Sequence, residues 1–234
     1  MPLPEGVAGV LIDIEGTTTP ITFVCDVLFP YAADRLDACC ARVDDDPRIA
    51  DAVTLLRAEH AGETPDDVPA FGDGAPFARW LMGQDRKSTG LKALQGVIWE
   101  RGYVDGGLCS QVYADVPRAL AVWQQAGVRV RVYSSGSVLA QQLLFGYTEH
   151  GDLTPYFEGY HDTTTGPKRE PVSYRRIAEA FALAPSRILF LSDVVPELDA
   201  AAEAGLRTAM LERPGNPPVP PHTHRRYPDF LPLV

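Results

Sequence analysis

The chain has 234 residues, is 45% hydrophobic and 22% charged, and carries a formal net charge of −10 at pH 7. That length allows one large domain or a core with a smaller cap, and the composition is ordinary for a soluble globular protein. The negative balance argues against a general nucleic-acid or anionic-membrane surface, so an anionic ligand must be drawn by local groups and a bound cation.

Residues 8–13 are apolar without alternation, the pattern of a strand covered on both faces. They deliver Asp13 and Glu15 to a point where Gly16, Thr17 and Thr18 break the run. Residues two apart in an extended chain share a face. Both carboxylates are therefore expected at one site past the C-terminal end of the strand, where open α/β sheets bind ligands. From 20 to 110 no strand is evident; helical stretches over about 24–42, 47–60, 76–82 and 88–101 surround a polar, Pro/Gly-rich segment at 61–76. This reads as an all-helical cap inserted directly after the first strand and standing over the site.

Val116, Leu120 and Trp123 mark the next helix, which Gly127 closes. The strand Val128–Tyr133 alternates and ends in Ser134-Ser135-Gly136-Ser137, a turn that opens a helix carrying Leu139 and Leu143. Tyr174, Ile177, Ala178 and Phe181 line one helical face ahead of Ile188–Leu191, which runs into Ser192 and Asp193. A helix over 197–204 ends at Gly205, Thr208–Leu211 forms a last short strand, and the proline-rich tail from Arg213 reads as irregular. Strands alternating with helices predict an α/β fold, a Rossmann-like parallel sheet with helices on both faces. The expected core is 1–19 with 111–234, and the expected cap is 20–110.

Two like charges as close as Asp13 and Glu15 call for a metal ion, or for a nucleophile beside an acid/base. Three apolar runs end in oxygen-bearing tips: Asp13 and Glu15, Ser134 and Ser135, and Asp193. The three carboxylates suit Mg²⁺, and nothing nearby offers the His/Cys set that zinc prefers. The serines, at a helix N-terminus, offer hydroxyls and backbone N–H groups to an anion. Lys168 adds a positive charge ahead of the third helix. Such a set suits a phosphate ester. Asp13 can attack phosphorus once Mg²⁺ and Lys168 neutralise the approach, while Glu15 protonates the leaving oxygen and then deprotonates the water that cleaves the acyl phosphate.

These residues resemble the haloacid dehalogenase superfamily of phosphohydrolases, whose first signature has the form D-x-D-G-T. Here Glu15 stands in place of the second aspartate. That departure is similar to one branch, the enolase-phosphatases of methionine salvage, in Asp13-Ile14-Glu15-Gly16-Thr17-Thr18-Thr19-Pro20-Ile21. The similarity continues through Asp85-Arg86-Lys87-Ser88-Thr89, Leu94-Gln95-Gly96, Trp99, Tyr133 to Val138, Gly166, Lys168, Phe190 to Val194 and Arg213-Pro214-Gly215-Asn216. The resemblance implies one Mg²⁺ per subunit held by Asp13, Glu15 and Asp193, with Glu15 contributing largely through its backbone carbonyl. It implies that Ser134, Ser135 and Lys168 hold the substrate phosphate. The implied substrate is 2,3-diketo-5-methylthiopentyl-1-phosphate, enolised and then dephosphorylated to the acireductone 1,2-dihydroxy-3-keto-5-methylthiopentene. A cytoplasmic monomer is expected, and the base for the carbon-bound proton stays open among Lys87, Lys92 and Glu100.

Other readings compete. A capped Mg²⁺-dependent phosphatase of another small phosphometabolite would carry the same set. Dehalogenase chemistry needs neither Mg²⁺ nor a carboxylate at position 15. A phospho-acceptor module without turnover would share the acidic cluster and lysine, but has no use for a cap. His222 and His224, in a proline-rich tail, read as solvated, and Trp80, Trp99 and Trp123 as packing residues. Asp44-Asp45-Asp46 before Pro47 reads as an exposed turn and helix start. Cys39 and Cys40 read as reduced small hydrophobes, and no apolar run reaches the roughly 18 residues of a membrane span.

Overall fold

The structure is a computed structural model that describes residues 3–64, 67–86 and 88–234. Contacts divide the chain into two compact units, Met1–Val24 with Cys109–Val234, and Cys25–Leu108. In the first unit six strands form one parallel sheet: β1 (Gly9–Ile12), β2 (Arg129–Tyr133), β3 (Gly159–His161), β4 (Ile188–Ser192), β5 (Arg207–Leu211) and β6 (Arg225–Tyr227). Their order is β3-β2-β1-β4-β5-β6. The chain thus steps outward on one side of β1 and later returns to build the other side. β1 and β4 are neighbours whose connections leave in opposite directions, the switch point at which such sheets form a crevice.

The helices are α1 (Ile21–Phe23), α2 (Phe29–Ala33), α3 (Leu36–Cys40), α4 (Pro47–Ala61), α5 (Ala75–Gly83), α6 (Thr89–Val104), α7 (Asp115–Gln125), α8 (Val138–Gly146), α9 (Pro171–Phe181) and α10 (Val195–Glu203). α9 and α10 cover the face that carries Leu11, Tyr133 and Phe190, through Tyr174, Ile177, Phe181 and Leu198. α7 packs on β2, and the opposite directions of winding on either side of β1 put its face across the sheet from α9. Trp123 of α7 is fully buried and its Nε1 donates to Leu233 O at 2.9 Å, which anchors the C-terminus.

The helical unit has its own core of Leu36, Ile49, Leu56, Phe77, Leu81 and Leu94. Asp46 caps α4 by accepting from Arg48 N at 3.0 Å, with Pro47 at the first helical position, and Asp44 and Asp45 form the exposed turn before it. Gly90 lets α6 press against α4: a Cβ there would lie 2.7 Å from Leu56 N and 2.9 Å from Ala52 O. Among the described residues no helix is long and apolar enough to cross a membrane.

Several expectations are corrected. The helical stretch expected over 24–42 is broken into a π-turn at Val24–Leu28, then α2 and α3. Pro30 has no N–H to donate and its ring crowds the preceding turn, so a regular helix cannot run through it. β3 was not expected as a strand, and the tail is not irregular throughout, since it supplies β6. His224 is not solvated: its side chain is 7% exposed, with Nδ1 paired with Thr208 Oγ1 at 2.8 Å and Nε2 with Asp199 Oδ1 at 2.9 Å. Both ring nitrogens of His222 are buried as well.

Candidate active site

Asp13 follows β1 directly and is 4% exposed. Its backbone N–H donates to Leu191 O at 3.0 Å, which carries the sheet pairing one residue past Ile12. One carboxylate oxygen, Oδ1, accepts from Ile14 N at 2.7 Å and from Lys168 Nζ at 2.7 Å. The other, Oδ2, lies 3.3 Å from Ser192 Oγ, at the end of the neighbouring β4. After Asp13 the chain turns at once: Thr17, Thr18 and Thr19 N all donate to Ile14 O, and Gly16 N donates to Thr19 O at 2.8 Å. β1 stops at Ile12, so this turn, rather than strand alternation, sets the position of Glu15, which is exposed.

Lys168 is the cation of the site. Its Nζ lies 2.7 Å from Asp13 Oδ1 and 2.6 Å from Glu197 Oε2, with its side chain 10% exposed. Burial alone would lower its pKa; the charges of Asp13 and Glu197 outweigh that and hold it above the ordinary lysine range. The loop that presents it is fixed by three hydroxyls. Tyr133 Oη donates to Gly166 O at 2.8 Å, Ser173 Oγ to Pro167 O at 2.8 Å, and Tyr174 Oη to Lys168 O at 2.7 Å.

Asp193 follows β4. Burial first, and then the charge of Asp13, raise its carboxyl to about 7. Its Oδ2 accepts from Asn216 Nδ2 at 3.2 Å, while its buried Oδ1 has no hydrogen-bond partner. Ser134 follows β2 and is buried; its N donates to His161 O at 3.1 Å and its Oγ accepts from Gly136 N at 3.2 Å. Ser135 is partly buried. Gln141 pins this turn, its Nε2 donating to Gly136 O and to His161 O, both at 2.8 Å. The structure brings Asp13 and Lys168 into direct contact and ties Asp193 to the turn after β1. It sets Ser134 and Ser135 at the end of the adjacent strand, with Val132 in register with Ile12.

Glu197, in the first turn of α10, was missed by the sequence reading, as were Ser192 and Asn216. Burial first, and then Asp13, push the Glu197 carboxyl up to about 7, against the pull of Lys168. The available signal was a carboxylate four residues past Asp193 at the start of a helix. Among the described residues no three His, Cys, Asp or Glu side chains converge as a metal cage. Of the residues considered for the enolisation base, Lys87 lies outside the described residues, Lys92 is partly buried on α6, and Glu100 is held by Arg48.

Comparison with known proteins follows the same lines. Residues 7–205 match the model of a haloacid dehalogenase-like hydrolase family. The chain is 52% identical to an enolase-phosphatase E1 of Synechococcus elongatus over 221 residues, covering 92% of this chain and 93% of the relative. It is 51% identical to an enolase-phosphatase E1 of Pseudomonas aeruginosa over 209 residues, 89% of this chain and 91% of that one. Among solved structures it is similar to the UTR4 protein of Saccharomyces cerevisiae, with a TM-score of 0.79 and 37% identity over 97% of this chain and 100% of that one. A dehalogenase at 18% identity and a TM-score of 0.52 shares the fold.

Proposed function

The chain belongs to the haloacid dehalogenase-like hydrolases and, within them, to the enolase-phosphatases, and from that premise we propose how its residues divide the work. The reaction is conversion of 2,3-diketo-5-methylthiopentyl-1-phosphate to the acireductone and inorganic phosphate, in methionine salvage. Asp13 is the nucleophile: a carboxylate oxygen bonds to phosphorus as the bond from phosphorus to the substrate oxygen breaks. Glu15 gives the leaving oxygen its proton. It then takes a proton from the water whose oxygen attacks phosphorus and frees Asp13. Lys168, with Ser134 and Ser135, holds the phosphate. The observation that carries this reading is the pairing of Lys168 with Asp13 at 2.7 Å, a buried cation set against the carboxylate that must meet an anion.

The donor set also fits Mg²⁺. Asp13 and Asp193 are hard oxygen donors at the ends of adjacent strands, and one buried oxygen of Asp193 has no hydrogen-bond partner. Glu15, past the end of β1, would contribute its backbone oxygen. When bound, the ion supplies positive charge against the phosphate and against the oxygen of the enolising carbonyl. On this reading the cap expected over 20–110 corresponds to the helical unit Cys25–Leu108, and the enzyme works as a cytoplasmic monomer with one Mg²⁺ per subunit.

The test is to incubate the protein with the diketo phosphate and Mg²⁺, with and without chelator. Phosphate release with growth of enediol absorbance, abolished by chelator, is expected. No release would overturn the reading, and far faster release from another phosphate ester would move the substrate to another small phosphometabolite.

A further inference from the structure

The C-terminal tail reaches back to the turn after β1 through two side chains three residues apart. Arg213 Nε donates to Thr17 O at 2.9 Å. Asn216 Nδ2 donates to Gly16 O at 2.9 Å and to Asp193 Oδ2 at 3.2 Å. Between them Gly215 takes φ +89°, and Asn216 N closes the turn on Arg213 O at 3.1 Å. The bidentate pairing of Arg213 with Asp115, at 2.8 and 2.9 Å, holds the base of this strap rigid.

The orientation of the Asn216 carboxamide is settled by its surroundings. Both neighbours of Nδ2 are acceptors, a carbonyl and a carboxylate, so the flipped amide would set oxygen against oxygen. The approach is also unusually close. Gly16 has φ +67°, and a Cβ on it would lie 2.2 Å from Asp193 Oδ2 and 3.0 Å from Asn216 Nδ2. A side chain at position 16 would displace the Asp193 carboxylate, and the carboxylate and the Gly16 carbonyl share one donor between them. Asn216 supplies that donor to both at once.

Asp193 is therefore tied by one oxygen and bare on the other, since Oδ1 is buried without a partner. A cation ligand whose spare oxygen is oriented by an outer hydrogen bond has this form, and such outer partners tune affinity for the ion. We propose that Asn216 is a positioning residue for the cation site: it aims Asp193 Oδ1 by holding Oδ2 against the turn that carries Asp13 and Glu15. The inference rests on the reading that Asp193 holds Mg²⁺.

Mg²⁺ binding to the full chain, followed by titration calorimetry and by the rise in melting temperature, tests it without reference to turnover. Asn216→Ala is expected to weaken Mg²⁺ binding by about tenfold or more while KM for the diketo phosphate at saturating Mg²⁺ stays near the parent value. Asn216→Ser, which keeps one donor, is expected to recover part of the loss and serves if the alanine variant folds poorly. Parental Mg²⁺ affinity in a folded Asn216→Ala, or serine no better than alanine, would overturn the role of Asn216. Asp193→Asn in the same titration separates the two claims: its loss of Mg²⁺ binding supports the cation reading, and parental affinity there removes both.

Discussion

The two compact units bury different things. In the helical unit the buried polar side chains among the described residues are Ser88 and Gln95; its ion pairs run from the exposed Arg79 with Asp37 to the partly buried Arg101 with Asp46. In the α/β unit Asp13, Glu197, His161 and Arg213 are all buried, alongside the partly buried Asp193. Burying charge is expensive, and a fold that needs only stability does better with apolar packing. The helical unit holds itself together by shape. On the proposed reading the α/β unit keeps Asp13, Lys168 and Glu197 for chemistry, while its buried Arg213–Asp115 pair anchors the tail.

That contrast can be attacked at four points. The largest effect is expected from Asp13→Asn, which keeps the shape but removes the proposed nucleophile. Phosphate release should fall by at least about 10³-fold, with a cooperative melt retained. Retained turnover would break the link between buried charge and chemistry. Next, Arg213→Ala leaves Asp115 without its bidentate partner and should cost about 3–5 kcal/mol in denaturant unfolding. The exposed Arg79→Ala of the helical unit should cost about 1 kcal/mol or less. Equal costs would erase the distinction between the units.

Gly90→Ala probes the helical unit on its own terms. The added methyl meets the α4 backbone, so the strain should outweigh the gain in helix propensity, with a net cost of about 1–3 kcal/mol. An unchanged or raised melting temperature would show that α4 and α6 can part.

The smallest effect is a pH dependence. Burial first, and then the charge of Arg131, lower His161 from 6.5 to about 4, while Asp162 pulls the other way. Below the unfolded value the unfolded chain takes up a proton that the folded chain refuses. The stability contributed by the neutral ring is therefore complete above pH 6.5 and lost as pH falls towards 4. Asp193 and Glu197, both raised to about 7, act in the opposite sense over that range, so the quantity to read is the parent minus His161→Asn. The parent should lose more stability on acidification, by about 1–3 kcal/mol. Parallel profiles would remove His161 from the account.

What the sequence shows and hides follows from range. β1 and β4 are legible because each is an apolar run that stops at polar residues, so Asp13 and Asp193 are found at strand ends without coordinates. β3 and β6 are three-residue edge strands, Gly-Tyr-His and Arg-Arg-Tyr, with almost no apolar pattern to read, and each depends on a neighbour for its pairing. The turn after β1 is legible as glycine and threonines, but not its sense, and strand alternation does not describe Glu15. Glu197 and Asn216 are hidden for a different reason. Each meets a residue brought near by folding, Lys168 for Glu197 and Asp193 with Gly16 for Asn216, and the one local signal, a carboxylate at the start of the helix after Asp193, does not show what Glu197 will pair with.

The central claim is that Asp13 takes the phosphoryl group. Its most direct test is to quench the enzyme in acid during turnover of the diketo phosphate with Mg²⁺ and map the protein by mass spectrometry. The account predicts a phosphoryl adduct on the peptide carrying Asp13, on Asp13 itself, and none in Asp13→Asn. Sustained phosphate release with no adduct on Asp13, or an adduct on another residue, would contradict it.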